Sequence, residues 1–399
     1  MQPQPPIKQS LYTRITRGNV ALHLAAIWFL YLILSTVYVF PKGLPQPADV
    51  ILMAGVASGL LASFLRYDGR IPLIYIVGIM FALLTVGINL VNNIYYPHKR
   101  LLLSATYYPY NFLVFAFVVF LFSRDAELIK KISYYAVAAA VMLQTFWVVA
   151  FPDMGAARLT GGFSNPNQLA YWAILSMAMI YFLKRDDRFT LLDLALFGMI
   201  GYIQSLSLSK AGIIAYAVMA IVFIASRQTP KQAKLLIAFV GTVAAVFVAF
   251  QGSHVLTGSM NINAAERVME RMATIGQEND DSLEGRGYNR LWENPHYLLF
   301  GAGEGSYDRF RTRHSPNELH SGLATILFSY SIFGFALFSG FIVLILYKQP
   351  WICWAVMFSV LLFSASSQTI RFTHTWVVFG MAYASFIYSP TRQRNHKGD

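Results

Sequence analysis

Residues 313–346 read RHSPNELHSGLATILFSYSIFGFALFSGFIVLIL, and the change of character inside that stretch decides the fold. Up to Ser321 it is polar, with Arg313, His314, Glu318 and His320; from Gly322 to Leu346 no charged residue occurs. An apolar run of this length is what a helix needs to cross a hydrocarbon layer of about 30 Å. Working outward from the span at 320–346, runs of the same kind fall at 19–40, 47–65, 71–92, 101–122, 133–151, 168–183, 189–206, 210–226 and 234–251 on one side. On the other side lie 350–367 and 374–388. Only helices and closed barrels satisfy their backbone groups in lipid, and runs of this length are helical. The expected fold is therefore all-α: a polytopic membrane protein of about 12 transmembrane helices with one long outer loop. Composition agrees, since 56% of the 399 residues are hydrophobic and 13% charged, too few to cover a soluble surface. The chain divides into helices 1–9 at 1–251, a long polar loop at 252–319, and helices 10–12 with a tail at 320–399.

The net charge of +12 does not point to nucleic acid, because most lysines and arginines sit in short connections between apolar runs. They fix an orientation instead. With a cytoplasmic N-terminus, 18 of the 31 basic residues fall in inner segments and 6 in short outer ones: Lys42, Lys99, Arg100, Arg158, Lys210 and Arg371. Short inner loops collect positive charge, so both termini are expected inside the cell and the 252–319 loop outside. No cleavable signal peptide is expected, because Lys8, Arg14 and Arg17 precede a first run long enough to span. The single Cys353 lies in an apolar run and excludes a disulfide framework.

The remaining seven basic residues, Arg267, Arg271, Arg286, Arg290, Arg309, Arg311 and Arg313, all lie in the long loop. Guanidinium groups hold phosphate through paired planar hydrogen bonds, so a cluster of them on the outer face points to an anionic ligand. Gly-flanked Arg286 is the first choice and Arg290 the second; four apart, they share a face if that stretch is helical. Pairing with Glu278, Asp280, Asp281, Glu284 and Glu293 on a solvated surface is the plainer alternative. The spacing of Asn263 and Glu266 predicts a capping box for a short loop helix, with Val268, Met272 and Ile275 as its expected apolar stripe. Lys210 and Arg371 each adjoin an apolar span on the outer side, where a charge either lines a cavity or snorkels to the headgroups. His320 opens the tenth span, as a proton acceptor for a sugar hydroxyl or as a plain helix-start residue. His254, His296, His314 and His374 also fall outside, less specifically placed, while His23, His98 and His396 read as incidental.

Asn165 and Pro166 mark the start of the sixth span. Asn165, Asn167, Glu304 and Glu318 are candidate ligand contacts, with Tyr288 and Trp292. Tyr297, Tyr307 and Phe310 are further rings that either contact a ligand or anchor the loop at the interface. Gly301-Ala302-Gly303-Glu304-Gly305 is read as a turn-rich connection with close backbone packing, because no strand precedes it and no Lys-Ser/Thr follows. No metal site is expected, since no His or carboxylate pair has ligand spacing on a clear helix face.

In order along the chain, Asn165-Pro166-Asn167, Ser207-Leu208-Ser209-Lys210-Ala211-Gly212, Gly285-Arg286, Leu299 to Gly305, and His320-Ser321 followed by Leu327 to Gly334 resemble the O-antigen polymerase and ligase superfamily (Wzy and WaaL). The likeness covers about 163–376; the N-terminal spans agree in hydropathy alone. The resemblance implies a metal-independent GT-C-type glycosyltransferase without cofactor, taking a glycan from undecaprenyl pyrophosphate at the outer face of a bacterial inner membrane. It implies that Lys210 and Arg286 hold the donor pyrophosphate and that His320 activates the acceptor hydroxyl. Lys210 stands where arginine is common, and the longer spacing from Arg286 to Trp292 makes Arg290 a second counterpart. The run after His320 is more similar to polymerases than to lipid A-core ligases. Membrane lipids and a chain-length regulator protein are the partners that go with a polymerase. A twelve-helix secondary transporter matches in length, but such proteins carry charges and broken helices near the midplane, which here is nearly free of charge.

Overall fold

The structure, a computed structural model, describes residues 22–40, 45–64, 71–151, 158–231, 273, 282–311 and 318–388. The expected ninth span at 234–251, the capping box at Asn263, and Arg267, Arg271, Arg313, His254 and His314 lie outside the described residues. So do both charged termini.

Every regular element among the described residues is a helix. They are α1 (Leu22–Leu34), α2 (Pro47–Phe64), α3 (Leu73–Tyr95), α4 (Lys99–Ser104), α5 (Tyr107–Ala150), α6 (Pro166–Leu183), α7 (Leu191–Ser207) and α8 (Lys210–Ala225). The loop contributes the short α9 (Asn289–Glu293) and α10 (Tyr297–Phe300) and a 3₁₀ turn at Tyr307–Phe310. The chain closes with α11 (Gly322–Leu346), α12 (Trp351–Ser366) and α13 (Thr373–Ile387). Of these, α3 and α11 are long and apolar enough to cross a membrane by length and composition. The helices turn large apolar side chains outward, with Leu83 66% and Phe333 63% exposed, a surface suited to lipid.

Two boundaries differ from the sequence expectation. The connection expected at 123–132 is itself helical: α5 runs from Tyr107 to Ala150 with one break at Asp125, φ −156° and ψ 89°. There the Asp125 carboxylate accepts from Leu128 N at 3.0 Å and caps a second arm. The two arms fold back on each other. Trp28 donates to Ser133 Oγ at 2.8 Å while its ring meets Phe117 edge-on at 6.3 Å, although one straight helix would separate those residues by about 24 Å. The first helix also stops earlier than expected, at Leu34, and Ser35 to Phe40 run on as turn and coil.

A further difference is a break inside α11, where Tyr330 and Ser331 leave helical geometry and Ser331 takes φ +67°. The freed carbonyls of Phe328 and Ser329 accept from Ala302 N and Gly303 N, both at 3.0 Å. The glycine-rich connection thus supplies the donors that the helix lacks, and irregular backbone survives where protein covers it. A side chain is excluded on both flanks: a Cβ on Gly301 (φ +78°) would lie 2.7 Å from Ser329 O, and on Gly305 (φ +105°) 2.5 Å from Arg100 O. Arg309 staples the same connection, donating to Ser306 O, Ala302 O and Asn92 Oδ1 with its guanidinium over the Tyr96 ring.

The core is aromatic. Phe81, Tyr108, Phe338, Phe341, Trp376 and Phe379 join α3, α5, α11 and α13, and Tyr108 meets Tyr330 edge-on at 5.4 Å. Loops gather at two ends. One end carries 282–322 with the 367–372 connection. At the other, Arg185 donates to Gln349 Oε1 at 3.2 Å, and Thr190 with Asp193 forms a capping box at the start of α7.

Candidate functional site

Three loop segments are sewn together at the loop end. His320 N donates to Arg286 O at 2.9 Å, Gly322 N to Ser367 O at 2.9 Å, and the Gln368 amide to Leu319 O at 2.6 Å. Ser321 caps α11 by accepting from Ala324 N. His320 is thereby fixed between the arginine loop and the connection that carries Arg371. It faces a cavity of about 1190 Å³ that also takes in the first turns of α6 and α13, the connection after α1, and the start of α5.

Arg371 lies on this wall with its two terminal nitrogens on two carboxylates, Glu304 Oε1 at 3.2 Å and Glu318 Oε2 at 3.0 Å. A guanidinium has five N–H donors, so these bonds leave it donors for a ligand. Glu304 is 4% exposed. Its backbone N donates to Asn89 Oδ1 and its carboxylate accepts from the Tyr330 hydroxyl at 3.0 Å, so α3 and α11 both hold it. Burial raises the pKa of Glu304 above the ordinary carboxylate value; Arg371 pulls it down and Glu318 pushes it up again. Burial opposes the charge on Arg371, but Glu318 and Glu304 more than offset that and raise its pKa. Arg290 is 2% exposed; burial lowers its pKa, opposed by Glu318 and Glu293. The result is a row of alternating charge, Glu304, Arg371, Glu318 and Arg290, running from the α3–α11 contact to the loop.

Of the residues singled out in the sequence, His320, Arg371, Glu318, Asn165 and Asn167 line the cavity, and Glu304 stands behind Arg371. Asn165 caps α6, accepting from Gln168 N at 2.9 Å. Arg286 and Arg290 do not share a helix face, because Arg286 precedes α9 in a run of turns that Gly287 (φ +78°) makes possible. Arg286 donates to Ser366 O at 3.1 Å, a cation at the C-terminal end of α12, and is not on the cavity wall. Lys210 is the first residue of α8 and is likewise not on the wall. The Tyr288 hydroxyl donates to Ala365 O at 2.7 Å, while Trp292 is 57% exposed on the outside of α9. Tyr297 and Phe310 pack with Phe328, leaving Tyr307 as the one of the three further rings on the cavity wall.

Two arginines that sequence reasoning passed over line the cavity, Arg100 and Arg158. Arg158 donates to Ser207 O at 2.9 Å, closing the C-terminal end of α7, and to Asn167 Oδ1 at 2.8 Å. Arg100 lies over the Tyr307 ring. Each belongs to the six cations of the short outer segments, and that count was the signal that held them. The start of α13 adds positive character, since Phe372, Thr373 and His374 line the cavity and no side chain caps that helix. The cavity wall thus carries an imidazole, three guanidiniums and a helix N-terminus, groups that suit proton transfer in the presence of a bound anion.

No protein-family model matches the chain, and no curated protein matches it.

Proposed function

We propose that the protein is a membrane glycosyltransferase, a polymerase that moves an oligosaccharide from undecaprenyl pyrophosphate to a hydroxyl of another lipid-linked repeat unit. In this reading about twelve helices span the bacterial inner membrane, both termini are cytoplasmic, and the cavity opens to the periplasm. The observation that carries the reading is the presence of His320 and Arg371 on the wall of one cavity, with Arg158 and Arg100 beside them. The charge count of the connections supports the orientation, and the ordered resemblance from Asn165 to Gly334 supports the reaction class.

His320 takes the proton of the acceptor hydroxyl as that oxygen bonds to the anomeric carbon of the donor glycan. The bond from that carbon to the pyrophosphate oxygen breaks, and the lipid pyrophosphate leaves with the electron pair. Arg371 and Arg158, fixed beforehand by Glu304, Glu318, Ser207 and Asn167, meet the developing charge without reorganising. No nucleotide sugar is needed on that face, because the lipid pyrophosphate carries the leaving group.

The test is elongation of a short undecaprenyl-pyrophosphate oligosaccharide by purified protein in nanodiscs. His320→Ala keeps the backbone bond to Arg286 O, so the variant is expected to fold and to lose on the order of 10²–10⁴ in rate. Wild-type chain lengths from that variant overturn the role of His320. Transfer to lipid A-core in place of chain extension makes the protein a ligase.

A further inference from the structure

The cavity has a second wall that the transfer chemistry leaves unused. It is built from Ser35 after α1, Tyr38, Asp49 on α2, Tyr110 and Asn111 on the first arm of α5, and His374 on α13. Asn111 is 1% exposed; its Nδ2 donates to Arg371 O at 2.9 Å, and its Oδ1 has no hydrogen-bond partner among the described residues. His374 is 4% exposed; its Nε2 sits 2.7 Å from Ser35 Oγ, and its Nδ1 has no partner among the described residues. The Tyr110 hydroxyl is in the same condition. Buried polar atoms are ordinarily paired, and three unpaired ones on a single cavity wall mark a place where a ligand completes the bonding. This wall contains no lysine or arginine. Asn111 can offer its free oxygen as an acceptor alone, and the Asp49 carboxylate is an acceptor as well, whereas phosphate brings acceptors of its own. A ligand rich in hydroxyl donors fits, and the Tyr38 and Tyr110 rings give it apolar faces to rest on.

We infer that this wall is a saccharide-binding subsite that takes a hydroxyl-rich sugar ring through Asn111 Oδ1, Asp49, Tyr110 and His374, separate from the arginine wall that takes the diphosphate. Assigning that sugar to the acceptor rests on the transferase reading; the binding itself does not. Asn111 joins the two walls, since its amide is held by the backbone of Arg371, so a sugar seated on it lies next to the diphosphate subsite.

The experiment uses the full chain in nanodiscs. Saturation-transfer NMR with a panel of unphosphorylated tetrasaccharides reads sugar binding, and ³¹P line broadening of inorganic pyrophosphate reads the arginine wall. Tyr110→Phe removes one oxygen and Asp49→Asn one charge, so both are expected to fold, which matched size-exclusion profiles check. Each is expected to raise the Kd of the bound sugar at least fivefold and leave pyrophosphate within twofold of wild type. Arg158→Gln is expected to do the reverse. Absence of sugar binding across the panel overturns the subsite, as does equal sugar affinity in wild type, Tyr110→Phe and Asp49→Asn. Sugar binding with this pattern in a protein that never extends a lipid-linked chain supports the subsite and overturns the transferase reading alone.

Discussion

Asp193 and Glu304 are both buried carboxylates, 0% and 4% exposed, at opposite ends of the molecule, and they are solvated in different ways. Asp193 is enclosed by near neighbours: Thr190 N at 2.6 Å, Thr190 Oγ1 at 2.7 Å and the Tyr134 hydroxyl at 2.7 Å, with Lys184 Nζ at 3.8 Å. Its bonds end on groups that start α7 and pin it to α5 and the end of α6. Glu304 accepts from Tyr330 on a distant helix and from Arg371, which reaches on to Glu318 and faces the cavity. One carboxylate finishes a helix; the other holds a cation at a wall where a ligand can reach it. A buried charge at the loop end is thus part of a row leading to open space, whereas at the other end it is closed off.

Asp193→Ala is the strongest way to break this contrast. It removes a cap and the partner of two other groups, so a loss of roughly 2–4 kcal/mol is expected, visible as a lower melting temperature in detergent. Elongation per folded molecule should stay within twofold of wild type. A variant that melts normally but fails to elongate would give Asp193 a functional part and erase the difference between the ends.

Glu304→Gln sharpens the other side: it removes the buried charge and keeps a hydrogen-bonding side chain of the same shape, so a change within about 1 kcal/mol is expected near neutral pH. Its pH dependence carries more information than its size. The folded state raises the pKa of Glu304, so the folded protein binds this proton more tightly than the unfolded chain does. That contribution is fully present below the ordinary carboxylate pKa and is lost as pH rises through the raised value. Melting temperature against pH should therefore fall across that window in wild type and flatten in Glu304→Gln. An unchanged slope would mean that Arg371 keeps Glu304 ionised throughout and that burial does not govern it.

Apolar run lengths made the helices legible, because each run had to satisfy its own backbone whatever it packed against. Asn165-Pro166 was legible for the same reason: a cap is a local bond. The break at Ser331 was not, since neither proline nor glycine occupies it and its cause is Ala302 and Gly303 donating from more than twenty residues upstream. Asn111, Tyr110 and Asp49 sit inside or at the edge of apolar runs, where one polar residue leaves the hydropathy almost unchanged. His374 was visible but had no local context to separate it from the other outer histidines. Arg286 stood out for its flanking glycines, yet those glycines serve the turn before α9, and the side chain turns to the end of α12.

The smallest expected effect tests whether nearness to the cavity is enough to matter. Arg311 pairs with Asp308 at 3.0 Å, and Asp308 also lies 3.9 Å from Arg100 on the cavity wall. Both partners are exposed, at 54% and 40%, so solvent screens the pair and its loss should cost under about 0.5 kcal/mol. Arg311→Ala is expected to leave the melting temperature unchanged and to shift pyrophosphate affinity by less than twofold, because the orientation of Arg100 comes from the Tyr307 ring as well as from Asp308. A larger drop in pyrophosphate affinity would show that an exposed ion pair also positions the wall. The row from Glu304 to Arg371 would then be one support among several, and burial would no longer separate the cations that act on the ligand from those that do not.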